Sequence, residues 1–387
     1  MDILYISPEF PPNYASFVRQ LHRAGVRVWA IGEAEFYSLP AELRACIRWY
    51  GRTDLRNWRQ AVRDIGELLE IKHAQGFEGA FDLVESHNEA WLRLEAFINE
   101  RFAIPGITRR EVDRIKKKSV MKRVFQECGL RVARGAVVTT PEEAVQLADE
   151  LGYPVILKPN EGVGAGGAFR IDDAGQLARV FPELREDYLL EEFVEARIVT
   201  YDGMTDTEGA VRFENTLVYG EGLLEYAQGK DTFFYVDREI PEALRRIGRT
   251  LVRAFDIRRK FFHFEFFRVD GDYVPIEINC RPPGGAILDM MNYSIDGDLY
   301  RAWVHMLLGR PLELPEGKRY CVAYVGRKDT PHALGHDELV ARIGPRLVEY
   351  AVNPALYWEV MGAHRYIFRC PEEAEILALA AAARQEA

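Results

Sequence analysis

The chain has 387 residues, enough for two or three domains with ample core. Its formal net charge of -10 excludes a general nucleic-acid binder but leaves room for a local basic pocket that takes a nucleotide. No stretch approaches the roughly 18 uncharged apolar residues of a membrane-spanning helix, and MDILYISPEF lacks the basic region and apolar run of a signal peptide. The five cysteines (Cys46, Cys128, Cys280, Cys321 and Cys370) are scattered, with no CxxC pair. That fits a reducing, cytoplasmic location and suggests neither a zinc site nor a disulfide framework.

Along the chain, DILYIS reads as a strand, ASFVRQLHRAG as a helix ending at Gly25, and VRVWAIG as a second strand. FDLVES is a further strand, followed by the helical NEAWLRLEAFINERF. Strands interleaved with helices predict a parallel, Rossmann-like N-terminal domain over residues 1–110. A Pro-Gly break then leads into IPGITRREVDRIKKKSVMKRVFQECGL, a basic helical stretch that marks a domain boundary. Beyond Arg131 strands and helices mix: RVARGAVVTT, the helix PEEAVQLADELG, then YPVILKP. FFHFEFFRV and YVPIEIN, joined by DGD, predict an antiparallel hairpin around Gly271. The helix DGDLYRAWVHMLLG closes this region. The remainder, with strands near YCVAYVG and HRYIFRC and a helical or frayed tail, predicts a small α/β appendage over 313–387.

The hairpin concentrates the chemistry. In VPIEINCRPPGG, Glu277, Asn279 and Arg281 alternate with Ile276, Ile278 and Cys280, so acid, amide and base share one strand face. A two-residue Asp270–Gly271 loop would set Glu265 opposite Ile276, on the apolar face. A three-residue loop with Gly271 left-handed brings Glu265, Glu277 and Asn279 to one face, and that loop is the expectation here. Two carboxylates this close repel unless a positive charge sits between them. A hard divalent cation with oxygen ligands and open positions for water and phosphate answers that need. Arg281, two residues on, would grip a transferring phosphoryl group. The competing reading is a solvated strand face.

Further features point to phosphate. YPVILKPNEGVGAGGAF ends an apolar strand in Lys158 and continues into a loop holding Gly162, Gly164, Gly166 and Gly167. Such a loop can bring backbone N–H groups close to phosphate, and a lysine ending an apolar strand needs an anionic partner. It is neither a P-loop nor a Rossmann fingerprint; a flexible hairpin tip is the alternative. Lys116, Lys117, Lys118 and Lys122 form a basic helical run, which for most of them reads as a solvated face. DYLLEEFVEAR carries a strand into Glu191, Glu192, Phe193 and Val194, a short extended linker that can offer backbone groups to an adenine edge.

Taken together these stretches resemble the ATP-grasp superfamily of carboxylate–amine ligases, collinearly from about Lys118 to Gly309. Lys118 and Lys158 are similar to its two ATP lysines, NEGVGAGGAF to its glycine-rich loop with Gly164, Gly166 and Gly167 over the phosphates, and EEFV to its adenine hinge. The resemblance implies Glu265, Glu277 and Asn279 as ligands of Mg²⁺, with Mn²⁺ as the alternative ion, and Arg281 as the arginine that stabilises an acyl phosphate. It implies a two-lobed ATP-grasp domain with antiparallel sheets, a small lobe over 111–190 and a large lobe over 191–312. ATP would phosphorylate a carboxylate, amino-acid substrates included. An amine would then attack, with Lys158 and Arg281 catalytic and ADP and phosphate released. A homodimer is the assembly the resemblance implies. One departure stands out: Ala196 and Ile198 occupy the places where the family carries a glycine and a ribose-binding glutamate, with Glu195 or Asp202 as substitutes.

Substrate contacts are less legible. Strand ends of a parallel sheet bind ligands, and ESHNEAW offers Glu85, His87 and Asn88 for an ammonium group, with helix capping as the alternative for Asn88. Gly284 and Gly285 would let a substrate carboxylate approach the backbone. YAQGKDTFFYV is a candidate lid in which Lys230 could reach phosphate. Two other functions stay open: an ATP-grasp kinase or bicarbonate-using carboxylase, and a nucleotide-binding protein without catalysis. No nucleic-acid or membrane partner is expected, only small-molecule carboxylate and amine substrates.

Overall fold

The computed structural model describes residues 1–162, 167–184, 187–220 and 229–387. The chain forms two compact units. One comprises Met1–Arg114, Cys280–Ala286 and Asp298–Glu313, and the other Ile115–Asn279, Ile287–Gly297 and Leu314–Ala387. Among the described residues no helix is long and apolar enough to cross a membrane.

The first unit is built on strands β1 (Asp2–Ile6), β2 (Arg27–Gly32), β3 (Trp49–Arg52) and β4 (Leu83–Glu85). They lie in the order β3-β2-β1-β4, all parallel. β1 is buried along its whole length, as a strand covered on both faces must be. Leu4, Ile6, Trp29, Ile31 and Val84 form one core with Ile65 and Leu68 of the helix Trp58–Ala74. Asn57 starts that helix by accepting from the Gln60 amide. At its far end Lys72 is fully buried, and its ammonium donates to the carbonyls of Phe77, Glu78 and Gly79 at 2.8–3.1 Å. The later segments of this unit return to the helix Ala15–Arg23. Tyr14 donates to the Pro282 carbonyl, Gln20 to Asp298, and Phe17 meets Trp303 edge-on.

The second unit holds two antiparallel sheets. The smaller contains β5 (Gly135–Val138), β6 (Val155–Pro159), β7 (Phe169–Ile171) and β8 (Tyr188–Glu192) in the order β5-β8-β6-β7. The larger contains β9 (Arg197–Thr205), β10 (Val211–Tyr219), β11 (Thr232–Asp237), β12 (Phe261–Val269), β13 (Asp272–Asn279), β14 (Cys321–Arg327), β15 (Leu347–Val352) and β16 (His364–Cys370). Its order is β13-β12-β9-β10-β11-β14-β16-β15. The C-terminal strands therefore form no separate appendage. β14 pairs with β11 from Thr232↔Gly326 to Val236↔Val322, and β16 and β15 extend the sheet from there. Of the two readings of the tail the helical one holds: Glu373–Arg384 is a helix that buries Ile376, Ala380 and Ala383.

The β12–β13 hairpin differs from expectation in an informative way. Val269 pairs with Asp272, so the turn has two residues, and both Asp270 and Gly271 have positive φ (51° and 84°). Parity is restored farther along by a bulge, where Phe266 pairs with Pro275 but Glu265 with Glu277. Ile276 is the extra residue, next to a proline with no N–H to give the ladder.

Asp2 ties the first sheet together. Its carboxylate accepts from Arg27 at 2.7 and 2.8 Å and from the Trp29 indole at 2.8 Å, with the Lys72 ammonium 3.6 Å away. Burial alone would raise its pKa. The Arg27 and Trp29 donors and the Lys72 charge overcome this and hold it at about 2. A depressed carboxyl stabilises the fold above the unfolded value of about 4 and loses that contribution as pH falls through about 2. Asp2→Asn should cost about 2 kcal/mol at pH 7. In urea unfolding, its deficit against wild type should close between about pH 4 and pH 2.

Candidate active site

The site residues of the second unit come from the helix Lys118–Glu127, the ends of β6 and β8, and the β12–β13 hairpin. Asn160, just past β6, fixes the helix start. Its carbonyl accepts from the Lys118 amide (2.8 Å) and its side-chain oxygen from the Ser119 amide (2.9 Å). Its own amide donates to the Asp187 carbonyl ahead of β8. Lys118 and Lys122, four residues apart, share one face of the helix. Gly167 returns the loop to β7 with φ +76°, where a Cβ would sit 3.1 Å from both the Pro159 ring and the Tyr188 hydroxyl.

These supports bring three ammonium groups to the site carboxylates. Lys158 Nζ lies 2.6 Å from Glu191 Oε2, Lys122 is ion-paired to Glu191 Oε1, and Lys118 Nζ lies 3.2 Å from Glu277 Oε2. Burial by itself would raise the Glu191 carboxyl, but the charges of Lys158 and Lys122 hold it below the usual carboxylate range. Burial pushes Lys122 down, with the like charge of Lys158 adding to that, whereas for Lys158 the attraction of Glu191 outweighs burial. Lys118 and Lys158, expected from the sequence as ATP lysines, are thus each paired with a carboxylate. Lys122 joins them through Glu191, a pairing that the solvated-face reading passed over, although its i+4 spacing from Lys118 was the available signal.

On the hairpin, Glu265 and Glu277 are direct cross-strand partners, as are His263 and Asn279. Asn279 Nδ2 donates to Glu277 Oε1 (3.3 Å). His263 was not anticipated as a site residue. It is buried, with Nδ1 2.6 Å from Asp202 Oδ1 and Nε2 3.1 Å from Glu265 Oε1. Burial alone would lower the imidazole pKa, but Asp202 first and then Glu265 raise it to about 9. Both carboxylates of the pair therefore touch a protein cation: His263 at Glu265 and Lys118 at Glu277. Among the described residues no group of three or more His, Cys, Asp or Glu side chains is arranged to hold a metal by itself. Two carboxylates and an amide oxygen nevertheless form a hard-oxygen donor set, which fits Mg²⁺ or Mn²⁺ completed by water and phosphate.

The remaining expected residues fall in several places. Gly164 and Gly166 lie outside the described residues, as do positions 226–228 of the candidate lid; Lys230 is exposed. Glu191 and Glu192 end β8, and Phe193 and Val194 begin the link to β9. The side chain of Glu192 holds Arg134, and the Phe193 ring lies under the Arg170 guanidinium, 4.5 Å from its centroid. Asp202 is no substitute for a ribose ligand. It is fully buried, and besides His263 it accepts from Thr200 Oγ1 (2.6 Å) and Asn215 Nδ2 (3.3 Å).

Arg281, Gly284 and Gly285 belong to the first unit. Arg281 donates to the Pro282 carbonyl, and the Gly285 carbonyl accepts from Asn13. In the same unit Glu85 and His87 are buried, not displayed at a loop surface. Glu85 Oε1 accepts from the amides of Ser86 and His87, and the His87 ring stacks on Phe17 at 3.7 Å and meets the Tyr5 hydroxyl at 2.9 Å. Asn88 caps the turn Glu89–Trp91 by accepting from the Ala90 amide.

Comparison with known proteins bears on this arrangement. Residues 113–197 match the family model described as "Carbamoyl-phosphate synthase L chain, ATP binding domain". The arginine-specific carbamoyl phosphate synthase large chain of Bacillus subtilis is 22% identical over 196 residues, 48% of this chain. The chain spans 18% of that relative's length. Among solved structures, the L-amino acid ligase from Bacillus licheniformis superposes with a TM-score of 0.73 at 15% identity, covering 98% of this chain and 95% of its own. The chain has the ATP-grasp fold. A further ATP-grasp structure is the biotin carboxylase domain of Hydrogenobacter thermophilus 2-oxoglutarate carboxylase, solved with MgADP, ADP and bicarbonate. It superposes with a TM-score of 0.62 at 16% identity, covering 96% of this chain and 86% of its own.

Removing the central anion of the lysine pair should have two consequences. Glu191→Gln deprives two largely buried ammonium groups of the carboxylate they share and should cost about 3 kcal/mol of stability. Inorganic tripolyphosphate should then raise the melting temperature of the variant more than that of the wild type, as read by thermal denaturation at low salt.

Proposed function

We propose that the chain is an ATP-dependent ligase that activates a carboxylate as an acyl phosphate and joins it to an amine. The observation that carries this reading is the meeting of Lys118, Lys122 and Lys158 with Glu191 and Glu277, beside a hairpin on which Glu265 faces Glu277. Three ammonium groups at one site suit a polyphosphate better than they suit two carboxylates, for which the fold alone has no need. Phosphoryl transfer asks a protein chiefly for positioning and charge neutralisation, and these residues supply both.

In this reading Lys118 and Lys158 leave Glu277 and Glu191 for the nucleotide phosphates. Glu265, Glu277 and Asn279 would hold Mg²⁺, which when bound neutralises charge on the phosphate oxygens. A carboxylate oxygen of the substrate attacks the γ-phosphorus, and the bond to ADP breaks. The amine nitrogen then attacks the acyl carbon, phosphate leaves with the C–O electron pair, and the amine gives up a proton to solvent. Arg281, two residues beyond Asn279 in the chain, would neutralise the transferring group. Glu191, Glu192, Phe193 and Val194 would border the adenine, and Gly284 and Gly285 remain candidate substrate contacts. The bicarbonate bound to the Hydrogenobacter thermophilus structure supports a second reading, a carboxylase in which bicarbonate takes the place of the carboxylate.

ADP release is the test, with ATP, Mg²⁺ and pairs of amino acids, polyamines and hydroxy acids, and with bicarbonate alone. Release that needs a carboxylate and an amine together supports the ligase; release with bicarbonate alone supports the carboxylase. Glu277→Ala should abolish ADP formation while its circular dichroism stays that of the wild type; normal turnover would remove Glu277 from the metal site. Arg281→Ala should lower kcat by about 100-fold or more while ATP affinity changes little, because its charge acts on the transition state. Equal losses in both would assign it to ground-state binding.

A further inference from the structure

We propose that the buried Asp202–His263 pair is a positioning device that fixes the carboxylate of Glu265 for a divalent cation. The inference rests on the assignment of Glu265 as a metal ligand under the proposed function.

The pair belongs to a polar row that crosses four strands of the large sheet. Asn279 on β13 is opposite His263 on β12, His263 is opposite Asp202 on β9, and Asp202 is opposite Asn215 on β10. All four are at most 4% exposed. The next row on that face sets Glu277 opposite Glu265 and Glu265 opposite Thr200. Asn279 Nδ2 links the rows at one edge by donating to Glu277 Oε1 (3.3 Å), and two further links run through the pair. Thr200 Oγ1 donates to Asp202 Oδ2 (2.6 Å), and His263 Nε2 meets Glu265 Oε1 (3.1 Å).

The direction of the chain of contacts identifies the role. Asp202 is held by Thr200, by Asn215 Nδ2 at 3.3 Å and by the strand on either side. It takes Nδ1 of His263 at 2.6 Å, which sets the plane of the ring and aims Nε2 along the strand face. The atom so aimed at is Glu265 Oε1. Glu265 has three side-chain torsions, is less buried than the others, and faces a second carboxylate at Glu277. Without a fixed donor the two carboxylates would turn away from each other. With it, one oxygen of Glu265 is committed before any cation arrives. A ring held by a carboxylate behind it and orienting a ligand in front of it is an outer shell that tunes affinity for the ion. A row retained only to specify the fold would not need to end on Glu265, and that difference can be measured.

The test measures Mn²⁺ binding to the protein–ADP complex by electron paramagnetic resonance, alongside ADP binding in EDTA. Wild type comes first: absence of Mn²⁺ binding there would overturn the metal assignment itself and with it this inference. Given wild-type binding, the paired variant Asp202→Asn/His263→Leu removes both members together, so that neither is left buried without the other. Its Mn²⁺ affinity should fall by about tenfold to 100-fold. ADP affinity in EDTA should stay within about twofold of wild type, a split that a general loosening of the fold would not produce. Mn²⁺ affinity within twofold of wild type in the folded variant would overturn the proposal. If the paired variant does not fold, Thr200→Val decides the question by removing the hydroxyl that donates to Asp202 and accepts from the Leu217 amide, with ADP affinity in EDTA again as the control. Threefold or greater weakening of Mn²⁺ binding is expected, and unchanged binding would overturn the proposal.

Discussion

Two carboxylates face each other across the β12–β13 hairpin, and much of the second unit can be read as a response to that conflict. Glu265 and Glu277 are paired in register, at the separation where like charges repel. A one-residue difference in register would send one of them to the apolar face among phenylalanines. The fold keeps them together with a bulge at Ile276, and keeps them tolerable by setting Lys118 on one and His263 on the other. Asn160 locates the helix that delivers Lys118, and Asp202 locates the ring of His263. Charge placement, backbone irregularity and buried hydrogen bonding thus converge on one short stretch of strand.

Parts of this were legible from residues alone. Glu277, Asn279 and Arg281 alternate with apolar neighbours, and period-two alternation survives any uncertainty about partners. The parallel strands of the first unit were legible because DILYI and RVWAIG carry no charge after their first residue. Other parts were hidden for specific reasons. His263 stands among phenylalanines in FFHFEFF, so its parity with Glu265 was visible, but a buried partner on β9 was not. Asp202 is sixty-one residues away in the chain, and nothing local marks it as the anion behind that ring. Lys122 was hidden by its company, since a run of lysines on a helix is usually solvated and only one face of this helix turns inward. The hairpin loop was misjudged because parity was assigned to the turn, whereas Pro275 inside the strand was the sign of a bulge.

The region Glu85 to Asn88 shows a different limit. Its polar residues suggest ligand contacts, yet Glu85 turns back onto the amides that follow it. That turn depends on His87 adopting a positive φ of 52°, which composition does not announce in a residue other than glycine. The C-terminal strands were missed for a broader reason. Pairing between Thr232–Asp237 and Cys321–Arg327 joins segments separated by a helix, the hairpin and two further helices, and no local pattern encodes such a partner.

That last pairing bears on how the chain is synthesised. The hairpin with its acids, β9 and β10 can all associate once residues up to Asn279 are available, but β11 then stands as an open edge of buried aromatic and β-branched side chains. It stays so until Cys321–Arg327 has left the ribosome, about 50 residues and several seconds later at ordinary elongation rates. During that interval the nascent sheet presents Phe233, Phe234, Tyr235 and Val236 next to unpaired backbone groups, a template for any neighbouring strand. The half-made sheet is therefore the species for which a holdase chaperone would be needed, and β14 is the strand whose arrival ends that need.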